Sequence, residues 1–232
     1  MQVNVSIIMA TYNRYDTFVE AVQSILNQTY SHFELIIVDD GSTDERYKQL
    51  ENMFKENQRI QILRLEENSV KKFGHKNRGY VRHQGILKAR GRLIAICDDD
   101  DLWKPQKLEV QMKRMQETGI DFCSSEGYYC IGDFRTNPGP WNMRIYHHEH
   151  YRWFLIQKLG GEGKLPEIWE KGFLEIHNFI VHSSVIFSKK IYMDVGGYRD
   201  LPVDEDYDLL RRINANEKHL FIHEPLFLYQ GQ

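Results

Sequence analysis

The chain alternates between short apolar-rich runs and longer stretches in which apolar residues recur every three or four positions. In the first half the runs are Val3–Met9, Phe33–Val38, Ile60–Leu65 and Leu93–Cys97. All four read as strands, and Leu93–Cys97, five apolar residues in a row, reads as one buried on both faces. Between the first two, Phe18, Ala21, Val22, Ile25 and Leu26 keep helical spacing and predict a helix over about residues 16–28. A second helix, capped by Thr43 or Asp44 and running to about Lys55, turns Leu50, Met53 and Phe54 inward. Residues 66–79 are charged, contain two glycines and have no apolar period, which predicts a mobile loop. Helices follow over Tyr80–Ala89 and from Pro105 to Thr118-Gly119. The order β-α-β-α-β-α-β-α implies a parallel sheet with right-handed crossovers.

The second half is less regular. Phe122–Ile131, Val181–Ser188 and His219–Tyr229 read as strands, and Lys189–Val195 as a short helix stopped by Gly196-Gly197. Asp204-Glu205-Asp206 opens a helix with Leu209, Leu210 and Ile213 inward; acidic residues suit that helix start. Residues 132–175 are aromatic and glycine-rich with weak periodicity. Within them His147-His148-Glu149-His150 has no zinc-ligand spacing and reads as a polar loop.

Length and composition set limits. The 232 residues fit a single domain, 1–232, divided into halves at 1–118 and 119–232. A hydrophobic share of 41% and a charged share of 27% are those of a globular protein. The net charge of −3 gives no reason to expect a nucleic-acid partner. No run approaches the ~18 apolar residues of a membrane span, and no signal peptide is expected at Met1. Cys97, Cys123 and Cys130 form no disulfide framework, which suggests a reducing, cytoplasmic setting, with peripheral membrane contact left open. Cys97 itself reads as a small core residue.

The candidate chemistry lies at strand ends. Asp98-Asp99-Asp100-Asp101 closes the Leu93–Cys97 run, and carboxylates so crowded raise one another's pKa unless a cation compensates. A solvated loop with Asp101 capping the helix at Pro105 is the plain alternative. A hard divalent cation, Mg²⁺ or Mn²⁺, that bridges the carboxylates to phosphate oxygens is the sharper one. Asp39-Asp40-Gly41-Ser42 ends the second strand, next to the turn at residues 11–14, and the two turns are well placed for a base and a ribose. The chain has no Walker A loop, no Gly-x-Gly-x-x-Gly after the first strand and no Gly-x-Ser-x-Gly elbow.

Val5–Arg14, Phe33–Asp44, Gly91–Trp103 and Gly196–Arg212 together resemble family 2 glycosyltransferases of GT-A fold. The resemblance implies a Rossmann-like, mostly parallel α/β sheet flanked by helices. The first half would bind a nucleotide-sugar, and a smaller second half an acceptor. It further implies inverting transfer from a UDP-sugar to an acceptor hydroxyl, the acceptor being a glycan, a lipid-linked group or a protein. By position, Thr11 and Tyr12 fall in the nucleotide-contacting turn and Asp40 meets the uracil N3–H. Arg82 faces the nucleotide or phosphates, although the asparagine expected next is His83. Asp100 becomes the metal ligand, Asp98 a ribose or second metal contact, and Asp99 part of the nucleotide site. Asp206 becomes the catalytic base, with a plain helix-start carboxylate as its alternative. The family's Tyr-Arg-x-His is Tyr229-Gln230-Gly231-Gln232 here, so that histidine's contact is absent or supplied otherwise. Trp141 and Trp153 are candidates for sugar stacking. A sugar-1-phosphate nucleotidyltransferase would share the metal chemistry but needs a glycine-rich loop, and residues 10–15 hold no glycine. A non-catalytic nucleotide- or glycan-binding module is the other alternative.

Overall fold

The computed structural model describes residues 3–130, 143–147, 151–159 and 163–230. Strands β1 (Val5–Thr11), β2 (Phe33–Asp39), β3 (Ile60–Arg64) and β4 (Leu93–Ile96) lie parallel in the spatial order β3-β2-β1-β4. The chain winds outward from β1 to β3 and returns to place β4 on the other flank of β1. Strand order therefore reverses between β1 and β4, and the crevice at the carboxyl ends of such a pair is where open α/β sheets bind ligands.

Beyond β4 the sheet continues through β9 (Ile186–Ser188), β6 (Phe122–Cys130), β10 (His219–Gln230) and the two-residue β5 (Leu102–Trp103). Strand β9 runs antiparallel to both neighbours, whereas β10 is parallel to β6. Short strands β7 (Met143–Ile145) and β8 (Ile168–Trp169) pair with β6 and β10.

Both faces of β1, β2 and β4 are covered, which is why these strands are mostly apolar. Ile7, Met9, Leu35, Ile37 and Ala95 point to one face, under α1 (Tyr15–Leu26), α2 (Leu50–Phe54) and α5 (Lys107–Thr118). Ile8, Ile36, Val38, Ile94 and Ile96 point to the other. There α4 (Arg78–Lys88) lies so close that a Cβ on Gly85 would come within 2.9 Å of Ile8 and Val38, so only glycine fits. The remaining helices are α3 (Ser69–Phe73), α6 (Arg152–Leu159), α7 (Lys189–Asp194) and α8 (Glu205–Asn216). Among the described residues no helix is long and apolar enough to cross a membrane.

Several expectations need correcting. Met53 is 47% exposed, because a 3-10 turn over Glu45–Gln49 shortens α2 to one turn, whose inward residues are Leu50 and Phe54. The 66–79 segment holds helix α3, capped by the Asn68 side chain, which accepts from the Val70 N–H at 2.9 Å, and stopped by Gly74 at φ 78°. Residues 182–184 form a 3-10 turn rather than the first half of a strand. That turn lets the Ser183 hydroxyl accept from the Asp98 N–H at 2.9 Å while the Ser183 carbonyl accepts from Trp103 Nε1. His147 is buried rather than on a polar loop: its Nδ1 lies 2.7 Å from Glu126 Oε1 and its Nε2 meets the Phe179 carbonyl. His148, Glu149, His150 and Trp141 lie outside the described residues.

Candidate active site

A cavity of about 540 Å³ opens at the carboxyl ends of β1, β2 and β4. Its lining includes Thr11, Tyr12 and Arg14 after β1, Asp40 after β2, Asn68 and Ser69 at the start of α3, and Asp98, Asp99 and Asp100 after β4. Lys76, Arg78 and Arg82 line it from α4 and the segment before it. Residues 202–206 at the start of α8, with Tyr229 and Gln230, close the far side. Thus Thr11, Tyr12, Asp40, Arg82, Asp98, Asp99, Asp100 and Asp206 all border one space.

The turns after β1 and β2 are built as a unit. Thr11 pairs with Asp39 in the parallel ladder, and the Thr11 hydroxyl shares a hydrogen bond with Tyr47 Oη at 2.6 Å. Gly41, at φ 71°, turns the chain after Asp40. Asn13 is held at φ 52°, an unfavourable value for a residue with a side chain, and its amide oxygen accepts from the Thr43 and Asp44 N–H groups at 2.9 and 3.0 Å. Those bonds compensate the backbone strain and fix the direction in which Arg14 leaves the turn. Tyr12, 42% exposed, presents its ring at the edge of the cavity.

Asp40 is buried and its carboxylate is braced by α3. Oδ1 accepts from the Ser69 N–H at 2.8 Å, and Oδ2 from the Ser69 hydroxyl at 2.7 Å and the Asn68 amide at 3.1 Å. Burial raises its pKa, and the Ser69 bonds offset part of that rise. Oδ1 accepts a single bond and has a second lone pair, so capacity for a ligand N–H remains there.

The four aspartates differ sharply in surroundings. Asp101 is fully buried, accepts from the Gln230 N–H at 2.9 Å and does not cap the helix after Pro105. Burial, with Asp98 nearby, pushes its pKa well up. Asp99 rises to about 6, first through burial, with the Thr11 hydroxyl and Arg14 pulling the other way. Asp100 is raised by burial and by Asp98. Asp98 alone is lowered: burial opposes its charge, but the Arg82 guanidinium, 2.6 Å away, outweighs that penalty.

Arg82 ties the two acidic groups together. Its Nη2 donates to Asp98 and its Nη1 donates to Glu205 Oε1 at 2.9 Å, across 123 residues of sequence. Its side chain is 5% exposed, and Asp98 and Glu205 hold its pKa up despite burial. Its guanidinium thus bridges two protein carboxylates, and Arg82 also lines the cavity. His83 turns away from the site and hydrogen-bonds Tyr192 Oη at 2.7 Å.

Glu205 and Asp206 begin α8. Asp204 occupies the capping position at φ 55°, yet its side chain makes no capping bond. Asp206 Oδ1 accepts from the Tyr207 N–H at 2.7 Å. Burial, reinforced by Glu205, raises its pKa, which makes its carboxylate a stronger base than a surface aspartate. Gln230 borders the cavity, and its backbone N–H rather than a side chain serves Asp101. Gly231 and Gln232 lie outside the described residues. Trp153 is 78% exposed on α6 and does not line the cavity.

Sequence reasoning missed Arg14, Lys76 and Arg78. Arg14 had a readable signal, being a cation in the turn beside the strand that ends in four acids. Lys76 and Arg78 flank Asn77, whose side chain caps α4 by accepting from the Tyr80 N–H, and only the fold brings them to the cavity.

With this geometry in place, likeness to known proteins can be weighed. Residues 6–174 match the family described as Glycosyl transferase family 2. The chain belongs to this family. TuaG of Bacillus subtilis (strain 168), a glycosyltransferase named for teichuronic acid biosynthesis, is 40% identical over 124 residues, which are 53% of this chain and 46% of TuaG. The chain thus spans about half the length of that relative. Among solved structures, Staphylococcus aureus TarS 1-349 in complex with UDP-GlcNAc superposes with a TM-score of 0.73 at 19% identity, covering 99% of this chain and 59% of that one. The mannosyltransferase PcManGT from Pyrobaculum calidifontis, in complex with GDP-Man and Mn²⁺, gives 0.68 at 16% identity, covering 99% of this chain and 57% of that one. At these identities the likeness establishes the GT-A fold.

Proposed function

We propose that this chain transfers a sugar from a UDP-sugar to an acceptor hydroxyl with inversion at the anomeric carbon. The observation that carries the reading is one cavity bordered by the turns after β1 and β2, three aspartates at a strand end and a basic carboxylate at a helix start. Membership of glycosyltransferase family 2 and the UDP-GlcNAc complex of TarS support the donor class.

Tyr12 stacks on the base and Asp40, braced by Asn68 and Ser69, accepts the base N–H. Lys76 and Arg78, exposed cations on the cavity wall, face the diphosphate beside Arg82. Asp206 takes the proton of the acceptor hydroxyl as its oxygen bonds to the anomeric carbon, while the bond from that carbon to the diphosphate oxygen breaks and its electron pair leaves with UDP. One displacement inverts the centre without a covalent intermediate.

The donor set fits a divalent metal. Asp100 and Asp98 present hard carboxylate oxygens to the cavity, matching Mg²⁺ or Mn²⁺. Among the described residues no cluster of three or more acidic, histidine or cysteine side chains is arranged as a complete metal site. Such ions are commonly held by one or two carboxylates, with water and substrate phosphates completing the shell. When bound, the cation neutralises charge growing on the leaving diphosphate. The Mn²⁺ in the PcManGT complex supports this assignment.

Release of UDP from a panel of UDP-sugars and one GDP-sugar, with Mn²⁺, Mg²⁺ or EDTA, tests the reading. Metal-dependent release from one UDP-sugar is expected. Silence across the panel, together with no thermal stabilisation by UDP and Mn²⁺, overturns it, because a bound ligand must stabilise the fold.

A further inference from the structure

We propose that Arg14 is a built-in stand-in for the divalent cation, holding Asp99 and Asp100 neutralised until the metal and the nucleotide arrive together. The inference rests on the donor reading given above. Arg14 Nη1 lies 2.5 Å from Asp100 Oδ2 and 3.3 Å from Asp99 Oδ1. It therefore covers the carboxylate assigned to the metal and the one beside it. A cation that reaches Asp100 has to take this position from the guanidinium.

The attachment suits a movable arm. The Arg14 backbone is pinned: its N–H donates to Tyr47 Oη at 3.1 Å, its carbonyl accepts from the Phe18 N–H at 2.9 Å, and Asn13 before it is locked onto residues 42–44. The side chain is 40% exposed, so the guanidinium pivots over a fixed base. Arg82 is the contrast, buried and held by both Asp98 and Glu205.

Two consequences follow. Metal alone binds weakly, because it competes with a charge-assisted pair already in place. A nucleoside diphosphate relieves the competition by offering the displaced guanidinium phosphate oxygens, so metal and UDP each tighten the other's binding by the same factor. Arg14 is thus a positioning residue for the metal site.

The test titrates Mn²⁺ alone and Mn²⁺ with UDP, following free Mn²⁺ by electron paramagnetic resonance. The proteins are wild type and the neutral variants Arg14→Gln and Arg14→Ala, either of which suffices if the other does not fold. Arg14→Lys serves as the charge-retaining control. Without UDP, the neutral variants are expected to bind Mn²⁺ about tenfold or more tighter than wild type, and their coupling to UDP to shrink by a similar factor. Arg14→Lys stays within about threefold of wild type. Neutral variants that bind Mn²⁺ no more tightly than wild type, while still binding UDP, overturn the role of Arg14 and leave the donor reading intact. Lysine tightening as much as glutamine overturns the charge argument. A wild type that binds neither Mn²⁺ nor UDP overturns both readings.

Discussion

On the four parallel strands, buried polar groups gather at the carboxyl ends, where Thr11, Asp40 and Asp99 line the cavity and Asp39 and Asp101 lie buried next to them in sequence; the pair of Ser6 and Glu34 at the opposite end is the main departure. In the second half of the sheet, buried polar groups sit inside the core instead. Glu126 and His147 pair beneath α6, and His219 lies between the rings of Phe122 and Trp169, with neither ring nitrogen partnered among the described residues. Burial drives the His219 pKa well down, so the ring stays neutral and acts as a flat packing surface. Among the described residues of this half, only the start of α8 and the end of β10 carry polar groups to the cavity. Burial therefore does not mark function by itself. What separates the regions is convergence on a shared open space: Asp98, Asp99, Asp100 and Glu205 line it and pair with Arg14 or Arg82, whereas Glu126 pairs with His147 away from it.

Removing a single group on each side separates the two regions most sharply. Asp206→Asn keeps the shape of the cavity and removes its base. Turnover is expected to fall by roughly 10²–10⁴-fold with UDP affinity nearly unchanged. Equal loss of both in steady-state kinetics and a UDP titration would show that Asp206 is only structural. Arg82→Leu leaves the buried Glu205 without its cation, and breaking such a pair costs about 3–5 kcal/mol. Urea unfolding reads that loss; a midpoint shift worth below about 1 kcal/mol contradicts the bridge. Glu126→Gln, away from the cavity, is expected to cost a smaller amount, about 1–3 kcal/mol, with UDP affinity at the wild-type value. A matching drop in affinity would erase the distinction between the regions.

The weakest effect is a slope with pH. Lys107 is buried between the Trp103 ring, the Gln111 amide oxygen at 2.5 Å and the thiols of Cys97 and Cys123. Burial depresses its pKa from 10.5 to about 7. Between these values the unfolded chain holds a proton that the folded chain has released, so stability rises with pH, by at most ~1.4 kcal/mol per unit. Stability from this group is lost as pH falls toward 7 and is level below it. Urea midpoints from pH 7 to 9.5 should climb in wild type and lose that component of the climb in Lys107→Met.

Much of this was legible in the sequence, and the parts that were not have physical reasons. Strands β1, β2 and β4 announced themselves because burial on both faces demands largely apolar runs, and Asp98–Asp101 stood out because uncompensated acids are costly. The apolar period failed for α3, whose five residues are positioned by Asn68, Ser69 and Gly74 rather than by an apolar stripe. It failed again at 182–184, where hydrogen bonds to Asp98 and Trp103 bend a chain that would otherwise read as a strand. The bridge from Arg82 to Glu205 depends on the packing of α4 against α8, so no local pattern reveals it. The same holds for Arg14, whose partners are 85 and 86 residues away.

The measurement closest to the central claim is a calorimetric titration of UDP into the chain with Mn²⁺, with EDTA, and into Asp100→Ala with Mn²⁺. One-site binding with Mn²⁺ is expected, weakening by at least about tenfold in EDTA and in the variant, because two carboxylates alone repel a diphosphate. Binding of equal strength in all three titrations would contradict it.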